Sequence, residues 1–169
     1  MTILVDWQIE KLCIYEKMVE PFDENLLNPC SLDIRVGYTA KKRLVNGWLD
    51  FDLRIYNEID PYLMDPGDRF LVSSLEVFNM PTDVAGQFRL KSSRAREFYE
   101  HLNAGWIDPG WTGSVLTMEI MNLDFMPLPL YPGLRMGQII FQDLLEEPGR
   151  LYRDVGRYNG DKTVQESKG

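Results

Sequence analysis

The chain has 169 residues, 44% hydrophobic and 26% charged, which is enough for one domain with a sizeable core. A formal net charge of −8 argues against a broad electrostatic surface for nucleic acid, so an anionic ligand must meet a local cluster of cations. No apolar run reaches the roughly 20 residues that span a bilayer, and the first residues lack the regions of a signal peptide, so a cytoplasmic protein without a membrane partner is expected.

At the N-terminus, Asp6 is placed to cap a helix from Trp7 to about Val19, with Ile9, Leu12 and Cys13 on one face. Pro21 and the Asp23/Asn25/Asn28/Pro29 cluster end it. Cys13 and Cys30 have no CxxC partner, as in a reducing compartment. From Ser31 onward the pattern predicts short strands over Leu32–Val36, Trp48–Ile55, Arg69–Val72, Gly86–Leu90, Ser114–Met121, Leu128–Tyr131 and Gln138–Phe141. Turn clusters such as Asp65-Pro66-Gly67-Asp68, Asp108-Pro109-Gly110 and Tyr131-Pro132-Gly133 separate them. Such spacing predicts an all-β sandwich or barrel, with a helical turn or short helix within Arg94–Leu102. Residues 1–169 read as one domain. After Pro148, Gly149, Gly156 and Gly160 alternate with polar residues, which predicts a frayed terminus; the retained Tyr152 and Tyr158 fit a lid instead.

The densest chemistry lies in Lys91-Ser92-Ser93-Arg94-Ala95-Arg96, in Ala104-Gly105-Trp106-Ile107-Asp108-Pro109-Gly110-Trp111 and in Thr117-Met118-Glu119. Cations and hydroxyls suit a polyphosphate. Glu119, framed by Met118, Ile120 and Met121, is a candidate for a raised pKa and hence for acid–base chemistry, unless it pairs with a cation such as Arg96 or Arg135. Asp108 is a candidate ligand whose structural alternative is to cap its own turn. Zinc catalysis is rejected, because one histidine, His101, and two isolated cysteines do not make a site. His101 reads as a hydrogen-bonded neighbour of the site. Ser92 and Ser93 lack the G-x-S-x-G context of a nucleophile and read as phosphate or water ligands. The tryptophans read as core or rim, with Trp106 and Trp111 shaping a pocket around Asp108.

Taken together with Asn28-Pro29-Cys30-Ser31-Leu32-Asp33-Ile34-Arg35-Val36-Gly37, Leu71–Pro81 and Pro132-Gly133-Leu134-Arg135-Met136-Gly137-Gln138, these segments resemble the dCTP deaminase branch of the trimeric dUTPase-like superfamily over nearly the whole chain. The resemblance implies a distorted β-barrel or jelly-roll-type domain and a homotrimer with its sites at subunit interfaces. It also implies a metal-independent attack of water on C4 of cytosine, giving dUTP and ammonia. Glu119 would shuttle protons, Ser92 and the backbone carbonyl of Ala104 would hold the water, and Arg96 would stabilise the site. Lys91, Ser93 and Arg94 would contact the phosphates with Arg96. Asp108 would bind the deoxyribose 3′-hydroxyl, and Thr117 and Met118 would line the base pocket through their backbone. Gln138 and Tyr152 would contact the triphosphate, and Arg157 stands at the lysine of the family's tail motif. Mg²⁺ would ride on the triphosphate, with no metal ligand from the protein.

The chain departs from the family pattern in three places. Arg96 to Ala104 is one residue shorter, and Asp108 to Glu119 one longer; a one-residue change inside a strand turns Glu119 to the opposite face unless a bulge absorbs it. In the tail, Asp161 stands where glutamine is expected, with Lys162 beside it as a compensating charge. The rival activity is a dUTP diphosphatase or a bifunctional enzyme giving dUMP and pyrophosphate, in which Asp108 would orient water at the α-phosphate. A third reading is a catalytically weak nucleotide-binding regulator. Inhibition by dTTP and tolerance of a modified cytosine are open at this level.

Overall fold

In chain order, the computed structural model, which describes residues 2–169, runs β1 (Thr2–Ile3), α1 (Asp6–Tyr15), β2 (Val19–Glu20), β3 (Leu27–Asn28), β4 (Ser31–Leu44) and β5 (Gly47–Asp52). It continues through β6 (Tyr62–Met64), β7 (Arg69–Asn79), β8 (Val84–Leu90), α2 (Ser92–Arg96), β9 (Tyr99–His101) and β10 (Trp106–Ile107). The last elements are β11 (Thr112–Asn122), β12 (Leu128–Leu130), β13 (Arg135–Asp143) and α3 (Tyr152–Val155). The protein is mainly β, as its sequence pattern predicts. Its principal sheet is ordered β10-β8-β13-β4-β7-β11-β9, with antiparallel neighbours, and β12 pairs with β6 apart from it.

The sheet curls because β4 serves two layers. Its first residues pair with β13, as in Leu32↔Ile139, and its later ones with β7, as in Lys41↔Leu71. The register shifts between Val36 and Ala40, as expected where a strand turns a corner. Gly37 sits at that corner. A Cβ there would lie 2.3 Å from the Ser74 carbonyl oxygen, so only glycine lets the two backbones approach. Phe70, Phe78, Phe141, Ile34, Met118 and Ile120 fill the space between the layers.

Several boundaries differ from those predicted, for local reasons. Val5, not Asp6, caps α1, its amide donating to Gln8 Oε1 at 3.1 Å. The helix ends at Tyr15 because Lys17 adopts a left-handed conformation (φ 57°) and the Met18 amide turns back to the Leu12 carbonyl, freeing Val19 to pair with β7. β5 stops at Asp52, whose carboxylate accepts from the Arg54 amide and starts a 3-10 turn at Leu53–Ile55. β4 and β7 run well past the predicted Val36 and Val72. In the extension of β7, Ser73, Ser74 and Glu76 are buried and satisfied. Ser73 Oγ accepts from the Thr39 amide, Ser74 Oγ donates to the Glu76 carbonyl and accepts from the Leu116 amide, and Arg35 Nε donates to Glu76 at 2.7 Å. No helix among the described residues is long and apolar enough to cross a membrane.

Candidate active site

β11 positions the carboxylate of greatest interest. Its alternation sends Met118 into the core, 1% exposed, and turns Thr117 and Glu119 to the opposite face. The register against β7 shifts between Thr112 and Ser114 and again between Val115 and Thr117. The strand is thus irregular at two points before Glu119, and Glu119 lines a cavity of about 540 Å³. Among the described residues no ion pair reaches Glu119, so neither Arg96 nor Arg135 neutralises it. Burial pushes its pKa above the ordinary 4.5, with a backbone amide hydrogen bond opposing that rise.

The facing wall comes from the segment through β10. Phe88 N donates to the Gly105 carbonyl at 2.7 Å, and a Cβ on Gly105 would lie 2.6 Å from the Phe88 carbonyl oxygen, so glycine is needed to seat the segment on β8. Ala104, Trp106, Ile107 and Asp108 all line the cavity. Asp108 does not cap its own turn through its side chain: Oδ1 accepts from Trp106 Nε1 at 2.9 Å, while its backbone carbonyl takes the Trp111 amide. Trp111, 7% exposed, stacks on Phe78 with centroids 5.6 Å apart.

The C-terminal segment forms a further wall. The Val115 amide donates to the Asp161 carbonyl at 2.8 Å, Trp111 Nε1 to the Tyr158 carbonyl at 2.7 Å, and the Gln165 amide to Thr117 Oγ1 at 3.2 Å. Val164 is buried, and Tyr152, Tyr158, Asp161 and Gln165 line the cavity. Lys168, rather than the adjacent Lys162, answers Asp161: its Nζ lies 2.7 Å from Asp161 Oδ2 and over the Tyr158 ring.

The cations gather elsewhere in the protomer. Lys91, Ser93, Arg94 and Arg135 line a second pocket of about 460 Å³, with Glu58 as its one carboxylate. Each cation is anchored from below: Lys91 and, at 3.7 Å, Arg135 on the buried Asp33, and Arg94 on Glu97 at 2.7 Å. Gln138 accepts from Ser31 Oγ and lies opposite Asp33 in the β13–β4 register, outside both linings. Ser92 and Arg96 are exposed on α2, and Arg157 is exposed in the tail with its backbone carbonyl accepting from Lys168.

Within one protomer, then, Ala104, Asp108, Thr117, Glu119 and Tyr152 come together, and so separately do Lys91, Ser93 and Arg94. His101 is buried against Phe88, its Nδ1 accepting from the Asn103 amide, and burial lowers its pKa. Trp48, Gln165 and Glu166 also line the first cavity, and nothing local in the sequence marks them for it. Asp33 carried a signal only as part of a motif. Among the described residues no group of three or more His, Cys, Asp or Glu side chains is placed to hold a metal ion.

Comparison with known proteins places these observations in a family. The chain is 34% identical over 181 residues to "dCTP deaminase, dUMP-forming" of Methanosphaerula palustris, covering 98% of this chain and 95% of that protein. It is 37% identical over 166 residues to "dCTP deaminase" of Thermococcus gammatolerans, covering 98% and 96%. Among solved structures it matches 2′-deoxycytidine 5′-triphosphate deaminase from Agrobacterium tumefaciens with a TM-score of 0.70 at 25% identity, over 83% of this chain; it spans about half of that longer chain (47%). The dUTPase of Streptococcus mutans matches with a TM-score of 0.51 at 18% identity over 76% of this chain and 93% of that one, a likeness of fold. Residues 3–144 match the family model described as dCTP deaminase-like, and the chain belongs to that family, on a dUTPase-like fold.

Proposed function

We propose that this protein deaminates dCTP by hydrolysis, with Glu119 as the proton shuttle. The observation that carries the proposal is a carboxylate with no ion-pair partner and a pKa raised by burial, on the wall of a cavity that also presents Asp108 and the backbone of Ala104. Family membership supports the coarser statement, a hydrolase acting on a deoxynucleoside triphosphate. In the ionised form Glu119 takes a proton from water as the oxygen attacks C4. It delivers that proton to N3, then takes the proton of the new C4 hydroxyl and passes it to the amine, so that the C4–N bond breaks, ammonia leaves and a uracil ring with a C4 carbonyl remains. Its raised pKa suits both directions of transfer near neutral pH.

No Lys or Arg lines this cavity among the described residues, whereas Asp108, Glu119, Asp161 and Glu166 do. Such a cavity suits the uncharged base and sugar better than a triphosphate. The triphosphate belongs with Lys91, Ser93 and Arg94. Those residues line a different pocket of the same chain, which fits a site completed by a neighbouring subunit, as in the homotrimer that the resemblance implies. Ser92 and Arg96, exposed on α2, then reach the reacting water from a neighbouring subunit. Mg²⁺ would be carried on the phosphate oxygens, where it offsets their charge, beside a pocket with one carboxylate, Glu58.

A second reading is favoured by the names of relatives. Those from Methanosphaerula palustris, Mycobacterium marinum and Methanopyrus kandleri are each called "dCTP deaminase, dUMP-forming". In it the uracil product is also cleaved to dUMP and pyrophosphate, with Asp108 orienting the second water. Separation of the nucleotides formed from dCTP tests both readings: dUTP alone marks the first, dUMP with pyrophosphate the second. A dCTP pool that stays unchanged would sink both.

A further inference from the structure

We infer that Trp106 is a positioning residue that sets Asp108 for the sugar of the substrate. Ile107 is 2% exposed and packed against Gly86, and the more exposed Trp106 and Asp108 on either side of it in sequence line the cavity with it. There Trp106 is 53% exposed, a large apolar surface left at the cavity rim. Its indole nitrogen does have a partner, Asp108 Oδ1 at 2.9 Å. An indole N–H is a donor only, so this bond occupies Oδ1, and among the described residues no hydrogen bond or ion pair takes Oδ2, which stays available as an acceptor. The carboxylate is thus held before a ligand arrives, and less ordering is required when a hydroxyl binds it.

This inference rests on the proposed function and on the role that the family resemblance implies for Asp108, holding the 3′-hydroxyl of the deoxyribose. Trp106→Phe keeps the ring surface and removes the donor. Steady-state kinetics with dCTP, and the inhibition constant of 2′,3′-dideoxy-CTP as a competitor, separate positioning from simple contact. Loss of a hydrogen bond to a charged group in a partly exposed site should raise KM for dCTP by about five-fold. Turnover should change less than two-fold, and the inhibition constant of the dideoxy compound should stay as in the wild type, because that ligand lacks the hydroxyl. Equal weakening toward both nucleotides would make Trp106 a wall and overturn the inference, as would no change toward either, or a fall in kcat alone. A wild-type protein that neither turns over nor binds dCTP would instead overturn the functional reading beneath it.

Discussion

Glu119 carries two opposing consequences of one placement. Its folded pKa lies above the ordinary carboxylate value, so the folded state favours the protonated form. The stability that this contributes is present below the unfolded pKa and is lost as pH rises through the folded value. Glu119→Gln should therefore raise the melting temperature at pH 7–8, and the gain should shrink toward zero as pH falls to about 4. Turnover should move the other way: kcat should fall by about a thousand-fold in the variant while nucleotide binding persists, the range expected for loss of a general base. The wild-type rate should increase with pH along an acid limb above 4.5, since the base must be ionised to accept a proton. Melting curves and a pH–rate profile of the same two proteins check both halves. That Glu119 was a carboxylate without a structural partner was suggested by its apolar sequence neighbours. Its orientation was not legible, because a bulge between Val115 and Thr117 has no local signature in this sequence.

At the scale of elements, the alternating run Gln138–Phe141 of β13 is legible in the sequence, as is the existence of β11 without its bulges, whereas the extensions of β4 past Val36 and of β7 past Val72 are not. β7 runs on past Val72 through Ser73-Ser74-Leu75-Glu76 because the two hydroxyls bond backbone groups of β4 and β11, and Glu76 pairs with Arg35. Such satisfaction depends on strands distant in sequence, which no window of residues reports. The corner at Gly37 is of the same kind. Gly37→Ala forces a side-chain carbon onto the Ser74 carbonyl and should cost about 3 kcal/mol of unfolding free energy, read as a lowered denaturation midpoint. The tail is held to the cavity by Val164, by the Gln165–Thr117 bond and by Lys168 on Asp161. Val164→Asp should detach it, speeding proteolysis after residue 149 and raising KM for dCTP several-fold while the remaining barrel stays folded.

For the whole molecule, the sequence placed cations and carboxylates in one region, whereas each protomer holds them in two pockets. Linear proximity says little about which face each side chain takes, so residues close in sequence read as one cluster although they line two pockets. If sites are shared, mixing the inactive Glu119→Gln and Lys91→Ala proteins under subunit exchange should restore part of the activity, because some interfaces then carry neither substitution. The most direct test of the central claim is to incubate the protein with dCTP and Mg²⁺, in parallel with Glu119→Gln, and to follow ammonia and uracil nucleotides together. The account predicts ammonia and a uracil nucleotide in equal amounts from the wild type and almost none from the variant. Undiminished deamination by Glu119→Gln, or no ammonia from the wild type, would contradict it.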